Sequence, residues 1–219
     1  MTTMENLIVH GDCFKLLAAA FYEPEKDFFL EEKLCENLAS LLATNGCLDA
    51  SAAAEKMTAA LAESDQSTLL VEYARLFVGP FELVAPPYGS VYLEKERRLM
   101  GDSTLAVQKM YHDAGLDLEI KDVPDHIAFE LEFMHYLCQC EVEAANDHTA
   151  VQELRRKQAT FYAHFLAPWI PDFCASIRNG TESKFYSALA ECLHAFITGT
   201  ASRFELSGLF QPGDKTCAC

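Results

Sequence analysis

Residues 124–145, PDHIAFELEFMHYLCQCEVEAA, decide the fold class. Their apolar side chains recur at steps of three and four residues, through Ile127, Leu131, Met134 and Cys138. This spacing is that of one helix face, and it predicts a long helix from Pro124 to about Ala145. Pro124 suits the first helical position, because its missing N–H would have no partner inside the helix.

Helical periodicity continues on both sides of this stretch, and strand alternation is almost absent. The pattern predicts helices over about 5–22, 24–45, 49–63, 65–78, 90–100, 103–114, 124–145 and 149–166, with two more up to about 199. About nine helices with short links predict an all-α fold, a single-domain helical bundle over residues 1–204. Residues 205–219 contain Gly, Pro and a Cys-Ala-Cys end, and we expect a disordered tail there.

Two segments interrupt the helical pattern. Residues 79–90, GPFELVAPPYGS, hold three prolines, which predict a stiff and ordered loop. A connector of this length in a compact domain is more often functional than not. Residues 116–123 are also irregular and could act as a hinge between two helical halves, so both a monomer and a swapped dimer stay open.

Composition and charge exclude several classes of protein. Net charge is −16, without a local basic patch, which argues against nucleic-acid binding and favours basic partners if the charge is functional. No run of about 18 apolar residues could span a membrane, and the N-terminus lacks the pattern of a secretory signal. The nine scattered cysteines then indicate a cytoplasmic protein with reduced thiols.

A metal site is the first chemistry that the sequence suggests. Two Glu-x-x-His pairs, Glu132/His135 and Glu191/His194, match the pattern of di-iron bundles, whose ligands must point into the core. On a helical wheel both pairs lie away from the apolar stripe, so surface pairs are the favoured interpretation. Cys217 lies two residues before the last cysteine, but a second cysteine pair at zinc-site spacing is missing. The sequence predicts no resident metal or cofactor.

Enzymatic motifs are also missing from the sequence. It contains no phosphate-binding Gly-rich loop and no nucleophile elbow, and nothing nominates a catalytic triad. We therefore expect a protein that is not an enzyme.

The most informative polar cluster is Asp122-Val-Pro124-Asp125-His126, followed by Glu130. Two interpretations stay open from the residues alone. The cluster can be a helix N-terminal cap with an i, i+4 pair between His126 and Glu130. It can also be an acidic, partly buried rim that binds a cationic ligand, or a hinge that His126 locks.

A family resemblance supports the second interpretation. The stretches YARLFVGP (73–80), APPYGSVY (85–92) and DVPDHIAFELEFM (122–134), with His164, Trp169 and Pro171 later, resemble the TorD/DmsD family. The similarity extends from the first helix to about Gly199. Asp122 stands where the family usually has Glu, and Tyr88 stands where Trp is common.

TorD/DmsD proteins are cytoplasmic chaperones of molybdenum-containing reductases and are related to NarJ-type chaperones. The resemblance implies that this chain binds the twin-arginine signal peptide of a reductase catalytic subunit, and keeps the apo-subunit competent for molybdopterin insertion before export. It further implies a signal-peptide site. The expected site residues are Tyr88, Ser90, Tyr92, Asp122, Pro124, Asp125, His126 and Glu130.

Three alternatives remain at this stage. A GTP-binding switch is the first, because some relatives are linked to weak guanine nucleotide binding. A metal-dependent oxidoreductase is the second, and a helical interaction protein without an export client is the third. The sequence does not identify the client.

Overall fold

A computed structural model describes residues 3–79, 83–95, 97–116 and 123–204. Within these ranges the chain forms eleven α-helices. They are α1 Thr3–Ala20, α2 Lys26–Glu31, α3 Leu34–Thr44, α4 Leu48–Glu63, α5 Gln66–Tyr73, α6 Gly89–Leu93, α7 Asp102–Asp113, α8 Ile127–Glu143, α9 His148–Phe161, α10 Ile170–Gly180 and α11 Lys184–Thr200. π-Helical turns over Ala74–Val78 and Tyr162–Leu166 extend α5 and α9, and a 3₁₀ turn, Ala201–Arg203, follows α11. The predicted all-α fold is confirmed.

The helices pack around one continuous apolar core. Helix α1 lies against α8 and α3, α4 packs between α3 and α11, and α10 packs on α11. The largest fully buried side chains are aromatic, and they include Trp169, Tyr186, Phe14, Phe21, Phe161, Phe173, Phe185 and Phe196. Because aromatic side chains bury the most apolar surface per residue, these rings supply a large share of the hydrophobic stabilisation.

Helix ends follow local chemistry where the sequence offers it. Asp65 caps α5 by accepting the Thr68 N–H at 2.8 Å, and Asp147 caps α9 through the amides of Thr149 and Ala150. Gly46 ends α3 with a φ of +82°, and the amide of the following residue bonds back into the last turn of the helix. A left-handed glycine at this position is the Schellman helix end that Asn45-Gly46 predicts.

The single helix predicted over 24–45 is wrong. Lys33 adopts a left-handed φ of 49° and separates α2 from α3. The turn changes the direction of the chain between the two helices. As a result Leu34 and Leu38 are buried, while Phe28 is half exposed. Both pieces keep helical spacing, and periodicity therefore does not reveal the break.

The predicted start of the long helix is also wrong. Helix α8 begins at Ile127 with His126 as its N-cap, whereas Pro124 and Asp125 form a turn before it. The Pro124 carbonyl accepts a buried hydrogen bond from the Tyr111 hydroxyl at 3.0 Å. This contact holds the turn outside the helix, so Asp125 does not lie in the first helical turn as predicted.

The glutamates of the two Glu-x-x-His pairs lie at the surface, as the helical wheels predict. Glu132 accepts from the Tyr22 hydroxyl at 2.9 Å, and Glu191 pairs with Lys56 at 2.7 Å. His135 contacts the Gly11 carbonyl at 3.0 Å. Both glutamates and His135 therefore have local partners.

Buried thiols behave as small apolar groups. Five of the seven cysteines in the described ranges are buried, and all seven are unpaired by disulfides. Burial raises the pKa of the Cys35 and Cys138 thiols to about 12. These thiols therefore stay protonated and unreactive at neutral pH. Cys217 and Cys219, the predicted tail and most of the predicted hinge (117–122) lie outside the described residues.

Candidate functional site

The proline-rich loop meets the start of α8 in a short backbone pairing, which we call the loop–helix junction (residues 87–90 with 125–127). The Ile127 amide donates to the Pro87 carbonyl at 2.8 Å, and the Gly89 amide donates to the Asp125 carbonyl at 2.9 Å. Tyr88 and His126 form an isolated antiparallel bridge between these two bonds. Since proline fixes φ, Pro87 holds the loop extended for this pairing.

His126 ends the junction by capping α8. Its Nδ1 accepts the N–H of Ala128 at 3.2 Å, so the neutral ring carries its proton on Nε2. The ring of Tyr88 stands edge-on to the imidazole, with centroids 5.4 Å apart. One side chain therefore fixes both the helix start and the orientation of the loop tyrosine.

Asp125 lies behind the loop and is 1% exposed. Its Oδ2 accepts the N–H of Ser90 at 2.5 Å, which ties the loop to the turn before α8. Among the described residues, its Oδ1 and the Ser90 hydroxyl have no hydrogen-bond partner. Buried polar atoms without partners are costly, so this cluster is a candidate for ligand contact.

Glu130 lies one turn into α8 and is fully buried. Its Oε2 accepts from Trp169 Nε1 at 3.1 Å, and the same N–H also reaches the Phe165 carbonyl at 2.7 Å. Its Oε1 has no partner within the described ranges. Burial, together with the negative charge of Asp125, raises the pKa of Glu130 well above its usual value. This environment therefore favours the protonated, neutral form of Glu130.

Two further contacts pack the loop over this carboxyl group. A side chain at Gly89 would lie 3.1 Å from Trp169 Nε1 and 3.2 Å from Glu130 Oε1, so the loop approaches because this residue has no Cβ. Tyr92 stacks on the indole of Trp169, with ring centroids 5.5 Å apart, and burial raises its pKa to about 12.

A chain of four rings runs from the buried junction to the surface at the end of α1, and we call it the aromatic row (Tyr88, His126, Phe129 and Tyr22). Neighbouring rings lie 5.4, 5.5 and 6.4 Å apart. Tyr22 is 37% exposed, and it donates its hydroxyl proton to Glu132. The row therefore ends beside a surface carboxylate.

The structure brings most of the expected site residues together, but not as the predicted rim. Asp125, Glu130 and Ser90 are buried under the loop, while Tyr88 and Tyr92 are half-buried. Pro124 supports the turn from behind. Asp122 lies outside the described residues.

Sequence reasoning missed the part of the arrangement that reaches the surface. Phe129 and Glu132 follow the predicted site residue His126 at three-residue steps, a signal that could have placed them on the same helix face. Tyr22 and Trp169 come from distant parts of the chain, so no local pattern could have added them.

Comparison with known proteins identifies related chains. The family model described as nitrate reductase delta subunit matches residues 45–175. The Tat proofreading chaperone DmsD of Salmonella typhi is 33% identical over 146 residues, which are 66% of this chain and 65% of that protein. The chaperone protein TorD of Vibrio parahaemolyticus is 27% identical over 133 residues, 60% of this chain and 61% of that protein. The chain thus spans just under two thirds of the length of these relatives.

One solved structure has the same fold. It is the crystal structure of a candidate redox enzyme maturation protein from Archaeoglobus fulgidus, with a TM-score of 0.54 at 22% identity. The superposition covers 90% of this chain and 95% of that chain. At this identity the likeness concerns the fold alone.

Proposed function

This chain belongs to the nitrate reductase delta subunit family, which confirms the predicted TorD/DmsD kinship, and from this premise we propose that it is a cytoplasmic chaperone of a molybdenum-containing reductase. Its client is the catalytic subunit of that reductase, bound through the twin-arginine leader before export. The chaperone holds the apo-subunit until the molybdopterin cofactor is inserted. The names of its relatives and the absence of enzymatic motifs support a role in binding and not in catalysis.

The aromatic row is the observation that carries the leader-binding proposal. A twin-arginine leader presents two guanidiniums followed by an apolar run. Guanidiniums stack on aromatic faces and pair with carboxylates in a fork geometry. The row offers such faces at Phe129 and Tyr22, and Glu132 offers a carboxylate at its end.

Buried groups of the junction have a supporting role in this proposal. Asp125 and His126 hold the loop and the helix start in register through the Ser90 and Ala128 amides. Pro124, Tyr88 and Tyr92 shape the loop surface around them, and Asp122 adds negative charge at the arginine end.

In this proposal the leader inserts beside three oxygens that have no partner among the described residues. Ser90 Oγ, Asp125 Oδ1 and Glu130 Oε1 all belong to the junction and its immediate support. A guanidinium that enters between the loop and α8 would supply hydrogen-bond donors to acceptors that are otherwise unsatisfied. This gives the acidic cluster a reason to contact a cation although it is buried.

Titration calorimetry with synthetic leaders from candidate reductases tests the proposal. We expect saturable binding of one leader and at least about tenfold weaker binding of its twin-lysine version, because lysine cannot form the bidentate pair. Absence of saturable binding by a folded sample, or equal affinity for both versions, contradicts the proposal.

A matched pair of variants locates the site. Glu132→Gln removes the carboxylate at the end of the aromatic row, and we expect leader affinity to fall about tenfold. Glu191→Gln alters the corresponding glutamate of the second Glu-x-x-His pair, far from the row, and should leave affinity unchanged. If both variants bind alike, or if Asp125→Ala with His126→Ala binds normally while folded, the site assignment is wrong.

A further inference from the structure

A cavity open to solvent lies away from the loop–helix junction, and its volume is about 300 Å³. It is bordered by the start of α1, the end of α8, α9 and the 3₁₀ turn after α11. The lining residues are Leu7, His10, Glu141, Arg155, Arg203 and Phe204, with Thr3 and Gln158 beside them.

A chain of hydrogen bonds fixes the tautomer of His10. Arg203 Nη1 can only donate, and it lies 3.2 Å from Asn45 Oδ1. The amide nitrogen of Asn45 therefore faces His10, and it lies 3.1 Å from His10 Nδ1. Since an amide NH₂ can only donate, Nδ1 accepts and Nε2 carries the proton.

That Nε2–H is a buried donor without an acceptor. His10 is 1% exposed, and its Nε2 has no partner within the described part of the chain. Phe14, Phe196 and Phe204 surround the ring at centroid distances of 5.0, 5.5 and 5.8 Å. Burial and the positive charge of Arg203 lower the pKa of His10 to about 3, so the ring is a neutral donor at physiological pH. A buried N–H without an acceptor is costly, and because His10 lines the cavity, an acceptor bound beside the ring would satisfy it.

The cavity also carries a net positive charge in an acidic protein. Both carboxylate oxygens of Glu141 are occupied, one by Arg155 Nε at 2.6 Å and the other by Gln158 Nε2 at 2.8 Å. Arg203 forms no ion pair with any described residue, and its guanidinium donates to the neutral Asn45 side chain. Two guanidiniums against one carboxylate leave one positive charge at the cavity, whereas the whole chain carries −16. The site therefore suits a single negative charge.

We propose that this cavity binds a small organic acid through its carboxylate. The carboxylate accepts hydrogen bonds from His10 Nε2 and the Arg203 guanidinium, and the apolar body of the acid lies against Leu7 and Phe204. The proposal is independent of leader binding, because the residues of the aromatic row and of the loop–helix junction do not line this cavity.

The first test follows the imidazole directly, by NMR of the full chain labelled with ¹⁵N-histidine. Free protein should show Nδ1 unprotonated and Nε2 protonated. Hexanoate should shift the Nε2–H resonance of His10 in a saturable way, and 1-hexanol, which lacks the charge, should not. A protonated Nδ1, equal shifts with hexanol, or binding of inorganic phosphate in place of hexanoate would overturn the proposal.

The second test uses matched arginines on the same surface. Arg203→Gln removes the unneutralised charge, and His10→Phe removes the buried donor within a similar ring shape. Each should weaken hexanoate binding about tenfold, the loss expected for one charge-assisted hydrogen bond. Arg156→Gln changes an exposed arginine that pairs with Glu153 and does not line the cavity, so it should leave binding within about twofold.

Circular dichroism checks that each variant is folded. Should His10→Phe fail to fold, Arg203→Gln still decides the matter, because Arg203 is exposed. Unchanged hexanoate affinity in Arg203→Gln, or an equal loss in Arg156→Gln, would contradict the proposed site.

Discussion

Helix α8 buries two glutamates, Glu130 near its start and Glu141 near its end, and their surroundings differ. They are eleven residues apart, or three turns, so both point to the same side of the helix about 16 Å from each other. Glu141 has a partner for each oxygen, namely Arg155 and Gln158. Glu130 shares one N–H of Trp169 with a backbone carbonyl, and its other oxygen has no partner among the described residues.

This difference distinguishes Glu141, which makes a structural contact, from Glu130, which belongs to a candidate binding site. A buried carboxylate whose partners match its charge and hydrogen bonds needs nothing further from its surroundings. Burial instead raises the pKa of Glu130 and so favours its neutral form, and its other oxygen, beside the loop–helix junction, has no partner among the described residues. Buried groups that the fold itself does not satisfy occur preferentially where ligands bind.

Trp169→Phe should show the largest effect on stability. The change removes the only described donor to Glu130, leaves the Phe165 carbonyl unpaired and creates a small void, so we expect a loss of about 3 kcal/mol in the free energy of unfolding. Tyr162→Phe removes one buried donor, to the Ile197 carbonyl, on the Glu141 side and should cost about 1 kcal/mol. Urea denaturation measures both. Equal losses in the free energy of unfolding of the two variants would contradict the proposed difference between the Glu130 and Glu141 ends of α8.

Glu130→Gln should change how stability depends on pH. The folded pKa of Glu130 is raised, so above the unfolded value of about 4.3 the folded chain retains a proton that the unfolded chain has released. The free energy of unfolding therefore falls as pH rises toward the folded pKa, by up to about 1.4 kcal/mol per pH unit. Gln is neutral at all pH values and its carbonyl still accepts from Trp169, so we expect the variant to become more stable relative to wild type as pH rises from 5 to 8.

Denaturation of wild type and variant from pH 5 to 8 measures this difference. His10 contributes a slope of the opposite sign, since its lowered pKa favours the folded state as pH rises, but it is common to both proteins and cancels. Glu141→Gln serves as the comparison and should destabilise at pH 7, because Arg155 loses its charged partner. A difference between wild type and Glu130→Gln that does not vary with pH would show that Glu130 is not a neutral acid.

Arg155→Gln should show the smallest effect of the three. The Arg155 side chain is 53% exposed, so solvent screens its pairing with Glu141, and we expect a loss of about 1 kcal/mol. Arg156→Gln, on the neighbouring residue with an exposed partner, should cost no more than about 0.5 kcal/mol. Thermal denaturation of both variants measures the difference between their stability losses. Equal losses would mean that the Arg155–Glu141 ion pair contributes nothing to stability at the Glu141 end.

Local sequence chemistry predicted the parts of the fold that depend on local interactions. The caps at Asp65 and Asn45-Gly46 follow from side chains and backbone freedom within four residues of the helix end. The break at Lys33 was not predicted, since it depends on which residues the core buries. The start of α8 was misplaced because Tyr111, thirteen residues earlier, holds the Pro124 carbonyl in a turn.

The sequence predicts which residues form most of the candidate site, but not how deeply they are buried. Asp125, His126 and Glu130 lie together because they are close in sequence. Their burial depends on Trp169, which comes 39 residues after Glu130, and on a loop that approaches only because Gly89 lacks a side chain. Such contacts leave no signal in the local sequence. The sequence therefore predicts an acidic, partly buried rim where the structure has a cluster buried under the loop.

Hydrogen–deuterium exchange of the free and leader-bound protein tests most directly whether the leader binds at the Glu130 end of α8. The reporter amides are Gly89, Ser90, Ile127 and Ala128, whose hydrogen bonds build the loop–helix junction. We predict that a saturating twin-arginine leader slows their exchange and leaves residues 137–158, at the Glu141 end, unchanged. Slower exchange at 137–158 with no change at the four reporter amides would contradict the account.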